Sequence, residues 1–483
     1  MTIETGIFVA YLAFMLSIGI YFFIKNKNAD DKAYFLGNRQ MGPWVSALSA
    51  GASDMSAWVL MGLPTSIYAF GLGQVWISVG LAIGYAISWI YEAPRLRSFS
   101  IVADDSITIP QYLTNRFRSA SRSLQVICAA IFLFAYTIYA ASSIKACGTL
   151  FNTVLGLNES TAMYVAALII IGYTLLGGFS AVCWTDFFQG MLMLGALLAA
   201  PLFAFALMDS GSGEVITDAN YFSAFASWKD IVSGLGWGLG YFGMPHIIIR
   251  YMSLESQASL KKSARIGISW TTLIVIFAAL LGISGRMFLG YDEAVYADSL
   301  VFIKLVRLIF PAAVSGILLS AVLAAAMSTA DSQLLAAASA FAADVYKPIL
   351  RKGSASEKEM SMVNRLVVAA IAAAALLIAS DPGAGSVMSL VSNAWGIFGA
   401  AFGPAIMLSL YWKRFTFGGA VASILVGAGV DIFWLYCLSS TGIYEIIPGF
   451  AAGLAAAVIV SLMSKEPGTE VEALFDAGVA YKD

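Results

Sequence analysis

The sequence predicts an all-α polytopic membrane protein of about thirteen transmembrane helices, and three observations carry that prediction. Of the 483 residues, 60% are hydrophobic and only 12% charged, with a mean hydropathy of +0.82. Uncharged runs about twenty residues long, enough to cross a bilayer as helix, recur from end to end. Basic residues gather after the first, third, seventh, ninth, eleventh and last runs.

The runs lie near residues 5–24, 43–72, 74–93, 123–151, 160–178, 187–208, 230–252, 266–289, 312–345, 362–380, 386–411, 417–437 and 445–464. The first follows Glu4 rather than a basic stretch, so it reads as a retained span and not as a signal peptide. Lys25, Lys27, Lys32 and Arg39 follow it; Arg95, Arg97, Arg116, Arg118 and Arg122 follow the third. Arg250, Lys261, Lys262 and Arg265 come after the seventh, and Lys347, Arg351, Lys352, Lys358 and Arg365 after the ninth. Lys413 and Arg414 follow the eleventh; Lys465 and Lys482 close the chain. With thirteen spans all of these fall on one side, which the positive-inside rule makes cytoplasmic, leaving the N-terminus outside. The acidic stretches near Glu214 and Asp218, and near Asp292, Glu293 and Asp298, then fall outside. This places the chain in the plasma (inner) membrane, with the lipid bilayer as its partner.

Composition excludes several activities. A net charge of −2 suggests no nucleic-acid partner. Cys128, Cys147, Cys183 and Cys437 form no CxxC, and the single histidine, His246, cannot build a metal cluster. No phosphate-loop motif is present, so ATP is not expected to power the protein. An enzyme would need a nucleophile, metal or cofactor constellation, and a channel a repeated pore loop; the sequence offers neither.

The chemistry concentrates where spans are interrupted. Span two carries SAGASDMSAW, with Asp54 amid small residues. A charged side chain at the centre of a membrane helix costs about 2.5–3.5 kcal/mol, so such residues usually line a pathway. Span seven carries SGLGWGLGYFGMPH over residues 233–246. Gly/Pro-interrupted spans at matching places in two halves point to a transporter's midplane site, although glycines also serve close helix packing. Trp58, Tyr139, Trp237 and Tyr241 offer walls for a small apolar body, unless they are interface anchors. Unwound backbone N–H groups suit a carboxylate, so a small amino acid is the expected guest. Span nine adds AAAMSTADSQ, residues 324–333: Ser328 and Thr329 are hard-oxygen donors for a cation, unless they bond their own helix. Lys145 reads as a lysine reaching the outer surface, and His246 as structural. Asp431 in span twelve and Asp331 near Asp186 are acids without an assigned role; a second cation or a proton is the functional alternative.

GASDMSAW, the YTLLGGFSAVCWTD run from Tyr173, GWGLGYFGMPH, LLSAVLAAAMST from Leu318 and WGIFGAAFGP from Trp395 together resemble the sodium/solute symporter family. The likeness runs from about residue 5 to 465 and is strongest to the proline-transporting members. It implies a LeuT-like core of two inverted five-helix repeats, with one helix before and two after. The implied divisions are a leading helix and loop (1–42), first repeat (43–208), extracellular loop (209–229), second repeat (230–411), two closing helices (412–465) and a cytoplasmic tail (466–483).

It also implies sodium as the co-transported ion, held by the carbonyls of Ala52, Met55 and Ala325 and the hydroxyls of Ser328 and Thr329. By the same likeness Asp54 and Asp186 serve sodium coupling. Ser56, Trp58, Tyr139, Trp237, Tyr241 and Pro245 match positions tied to proline binding or its gating. The expected function is sodium-coupled proline uptake by alternating access. A sodium symporter for another amino acid or carboxylate is the alternative, with a proton-coupled transporter or passive channel behind it.

Overall fold

Backbone groups inside a bilayer have no water to bind, so apolar runs close their hydrogen bonds internally and fold as helices. The computed structural model describes residues 2–25, 31–175, 178–208, 216, 218 and 220–482. Lys27, Glu214, and Leu176 and Gly177 of the run from Tyr173 lie outside the described residues. Among those described, the sole extended pairing is an isolated bridge between Met41 and Leu254.

In chain order the membrane elements are α1 (Ile3–Lys25), α2 (Pro43–Met55), α3 (Gly62–Phe70), α4 (Leu72–Val102) and α5 (Ser123–Leu155). There follow α6 (Glu159–Thr174), α7 (Phe179–Leu207), α8 (Trp228–Gly236), α9 (Pro245–Met252) and α10 (Gln257–Leu289). The chain ends with α11 (Ala312–Leu350), α12 (Glu357–Ala379), α13 (Val387–Tyr411), α14 (Phe417–Cys437) and α15 (Ile446–Met463). Among the described residues, ten of these helices are long and apolar enough to cross a membrane. The other three expected spans are the broken pairs α2/α3 and α8/α9 and the 16-residue α6.

Several boundaries differ from expectation. Helix α7 begins at Phe179, not near residue 187, because the polar residues Thr185, Asp186 and Gln189 face protein rather than lipid and are buried. Helix α10 begins at Gln257, where the Ser256 side chain accepts from the amide of Ser259. Helix α4 runs on through a π-turn at Ser88–Glu92, past Pro94. Its arginines find carbonyls: Arg95 donates to Leu410, and Arg97 to Leu254 and Glu255. The closing segment is no loose tail; Thr469–Ala480 is a helix whose Phe475 packs edge-on against Phe99 at 5.4 Å.

Helix α11 is enclosed through its middle, with every residue from Leu318 to Leu335 buried. It lies against α2, α5 and α7, while α10 packs on α2, α3 and α4. Backbone contact brings α4 onto the second broken helix: a Cβ on Gly84 would stand 2.3 Å from the Gly238 carbonyl oxygen. Close packing therefore accounts for this glycine, as the structural alternative anticipated.

Candidate functional site

The site grows out of the end of α2. Ser56 adopts φ 43° and ψ 177°, a left-handed conformation costing a non-glycine residue about 1–3 kcal/mol, and α2 stops at Met55. The chain crosses a single 3₁₀ turn, Ala57–Val59, and resumes as α3. The last carbonyls of α2 thereby lose their intrahelical donors. Helix α11 meets them: Ser328 Oγ lies 2.9 Å from the Ala52 oxygen and 3.1 Å from the Ala325 oxygen. The Thr329 hydroxyl beside it is fully buried and has no hydrogen-bond partner. A dry hydroxyl left unsatisfied, next to hydroxyl and carbonyl oxygens from two helices, is a donor set suited to a hard monovalent cation. The self-bond that was the alternative holds for Ser328 in part, through Ala325 one turn back, but Ser328 also reaches across to α2, and Thr329 bonds nothing.

Asp54 is wholly buried and turns toward the other broken helix. Its Oδ2 accepts from the Tyr241 hydroxyl at 2.6 Å, its Oδ1 has no partner, and its backbone carbonyl accepts from Tyr139 at 3.3 Å. Asp54 thus ties α2 to α5 through its backbone carbonyl and to the 3₁₀ stretch Trp237–Phe242, between α8 and α9, through its carboxylate. Ser56 places a second buried, unpartnered hydroxyl at the break.

The predicted aromatics converge. Trp58 and Trp237 ring centres are 5.7 Å apart, and both residues are buried, which removes the interface-anchor reading. Pro245 occupies the first turn of α9, where a missing N–H costs nothing, and it ends the 3₁₀ stretch. Three further aromatics complete the wall and escaped the sequence reading. Trp395 stacks on Trp237 at 6.3 Å and donates its Nε1 to the Trp237 carbonyl at 2.8 Å; it also meets Tyr241 edge-on at 5.1 Å. Tyr444 stacks on Trp237 at 5.1 Å, and Tyr85 lies 4.9 Å from Tyr241. Trp395 opens the WGIFGAAFGP motif, and that position was the signal available for it.

Asp186 sits two turns inside α7, not in a loop before it, and it is paired. Its Oδ2 accepts from Ser49 Oγ at 2.6 Å and from Arg250 at 3.2 Å. Arg250, expected at the cytoplasmic flank of span seven, is instead buried beneath it. It donates to Ser332 of α11 at 2.6 Å, to Ser49 at 3.1 Å and to the His246 carbonyl. A buried carboxylate recruits a counter-ion, and Arg250 is the group that α9 presents. Asp331 is buried next to Ser332. His246 is structural, its Nε2 3.2 Å from the Ser53 carbonyl and its Nδ1 3.2 Å from the Tyr136 hydroxyl. Lys145 reaches the carbonyl of Gly385, between α12 and α13, as a lysine near the surface should.

The chain has relatives in both sequence and fold. The sodium:solute symporter family profile matches residues 34–427. The chain is 41% identical over 470 residues to the high-affinity proline transporter PutP of Bacillus subtilis, covering 96% of this chain and 98% of that one. It is 40% identical to the sodium/proline symporter of Escherichia coli, covering 98% and 96%. Among solved structures, a substrate-bound, outward-open Na+-coupled sialic acid symporter superposes with a TM-score of 0.81 at 21% identity, over 97% of this chain and 99% of that one. Mhp1, a nucleobase-cation-symport-1 family transporter, superposes at 0.56 and 15% identity, over 92% and 98%. The helical bundle is therefore the LeuT-like fold these symporters share, a multi-pass membrane architecture. Matched over most of its length by the family profile and by relatives near 40% identity, the chain belongs to the sodium:solute symporter family.

Proposed function

We propose that the protein takes up L-proline together with sodium by alternating access. One observation carries the ion half: the break of α2 at Ser56 faces Ser328 and the unpartnered Thr329 hydroxyl of α11. Sodium is cargo, held by the carbonyls of Ala52, Met55 and Ala325 and the hydroxyls of Ser328 and Thr329. Bound there, it links α2 to α11 and stabilises one of the alternating states. The solute half is supported by near-full-length identity to relatives named for proline, and by the walls available. The proline ring packs against Trp58, Trp237 and Tyr139, and its carboxylate faces the unwound backbone around Ser56. Asp54 couples the two, because the helix that ends in the ion site also holds Tyr241 of the solute wall. Pro245 fixes where the second broken helix restarts. Asp186 draws Arg250 from α9 toward α7 and α11, and a sodium ion leaving the site passes this pair. Coupling requires only that each ligand bind one state better than the other.

The reading takes residues 43–208 and 230–411 as the two inverted halves and thirteen spans in all. The N-terminus then lies outside and the C-terminus in the cytoplasm, in the plasma membrane. The test is labelled-proline uptake into proteoliposomes under an inward sodium gradient. Accumulation above equilibrium with sodium and none with potassium is expected. Accumulation without a sodium gradient refutes coupling; none under any gradient refutes proline, and a competition panel of amino acids and carboxylates then identifies the solute.

A further inference from the structure

Behind the aromatic wall lies an acidic pair that the transport reading does not use. Asp431, on α14, is fully buried, and neither of its carboxyl oxygens has a hydrogen-bond partner. Glu445, at the start of α15, is also buried. Both reach the same point on α13. A Cβ built on Gly396 would stand 2.8 Å and 3.4 Å from the two Asp431 oxygens and 3.3 Å from Glu445 Cγ. The niche is tight: a Cβ on Gly449 of α15 would meet the Cβ atoms of Asp431 at 2.9 Å and Ala400 at 2.7 Å and the Gly427 carbonyl oxygen at 3.1 Å.

The elements packed on α14 are α13, α15 and the short turn Ser439–Thr441. The titratable groups they turn toward Asp431 are Glu445 and Tyr444, and the Tyr444 hydroxyl is committed to the Ser392 carbonyl at 2.7 Å. Lys229 of α8 packs on Gly442, in the connection that precedes Glu445. Among the described residues no cation reaches Asp431 itself. An ionised carboxylate with no partner in such a place is strongly disfavoured, and a neighbouring acid makes ionisation of both worse. Binding a proton removes the conflict and gives one carboxyl an O–H to donate.

We propose that Asp431 and Glu445 form a proton-binding site that holds one shared proton and ties the packing of the aromatic wall to pH. The route is short. Gly396, on which the pair closes, follows Trp395, whose indole holds the Trp237 carbonyl, and Glu445 follows Tyr444, which stacks on Trp237. Loss of the proton sets two carboxylates against each other at Gly396 and loosens α14 and α15 from α13. The uptake reading supplies only the side from which the proton arrives, the outer one. The site itself stands on the packing.

The test uses the full chain in proteoliposomes with Asp431→Asn and, should that variant not fold, Glu445→Gln. Infrared difference spectra at about pH 7, well above ordinary carboxyl pKa values, are expected to show a protonated-carboxyl band in the wild type that the variants lack. Tryptophan fluorescence is expected to change between about pH 6 and about pH 9 in the wild type and to stay flat in the variants. The solute concentration for half-maximal uptake should shift about fivefold or more over that range in the wild type, the lower end of typical site-to-site coupling, and less in the variants. An unchanged carboxyl band, or a pH response that survives substitution, overturns the proposal. A band displaced by sodium at constant pH overturns it in favour of a metal cation. Failure of wild-type proline uptake counts against the transport reading alone, because the spectra need no transport.

Discussion

Ser328 and Thr329 are adjacent hydroxyls with opposite circumstances, so removing each separates fold from ion site. Ser328 Oγ bridges Ala52 of α2 and Ala325 of α11, whereas the buried Thr329 Oγ1 bonds nothing within the protein. Thr329→Ala removes a dry, unsatisfied hydroxyl, a group whose burial costs about 1–3 kcal/mol, so without sodium the variant should melt no lower than the wild type. Ser328→Ala breaks an inter-helix bond worth about 0.6–1.7 kcal/mol inside a membrane bundle and should melt lower. With sodium present the order changes. Losing one oxygen that meets a cation resembles losing a charge-assisted bond of about 1.5–3 kcal/mol, or roughly 10–100-fold in affinity. Both variants should therefore need about tenfold or more sodium for half-maximal uptake. The assays are sodium titration of uptake in proteoliposomes and detergent melting with and without sodium. Wild-type sodium dependence in Thr329→Ala, or equal sodium-free destabilisation of the two variants, would refute the reasoning.

Tyr241→Phe keeps the ring against Trp395 and Tyr85 but strips the Asp54 carboxylate of the one donor it has among the described residues. A bond to a charged acceptor is worth about 1.5–3 kcal/mol, so transport kinetics should show solute and sodium requirements rising about tenfold or more at unchanged membrane content. Arg250→Met leaves Asp186 buried without its counter-ion, a loss of about 3–5 kcal/mol that thermal melting should register. Adding Asp186→Asn should recover much of it; equal melting of single and double variants would mean that the pair is not what holds α7 to α9. Just after α4, partial burial pushes the Asp105 carboxyl up, but bonds from Lys32 and Arg39 outweigh it and hold it below its ordinary value. A depressed acid stabilises the fold above its unfolded pKa, about 3.9, and loses that contribution as pH falls through the lower folded value. Accessibility of that segment to a thiol or protease probe should therefore be flat from about pH 5 to 8 and rise only in stronger acid. Asp105→Asn should raise it already at neutral pH, and a variant as protected as the wild type would remove this latch.

The apolar runs, the interruption at Ser56 and the glycine-rich interruption around Trp237 were legible because each is local. A bilayer leaves the backbone no partner but itself, so twenty apolar residues mean a helix wherever they occur, and an acid amid glycine and serine means a place where that helix is interrupted. The ion-binding set was legible only through five motifs in a fixed order, since one Ser-Thr pair in an apolar helix has an ordinary local explanation. Other features depended on partners far along the chain. Arg250 looked like a flanking charge because its counter-ion, Asp186, lies 64 positions away. Trp395, Tyr85 and Tyr444 received no place in the site, because helical spacing tells which face a residue is on, not what covers that face. Helix α7 began early because polar residues are tolerated where protein replaces lipid.

By itself, then, the sequence determined that this chain crosses the membrane many times, where it breaks, and which residues at the breaks have oxygen to offer. The tertiary structure decided which breaks meet. It set Ser328 against Ala52, Tyr241 against Asp54 and Asp431 against Gly396, because contact between helices is chosen by the fit of whole surfaces, and no single helix carries that information.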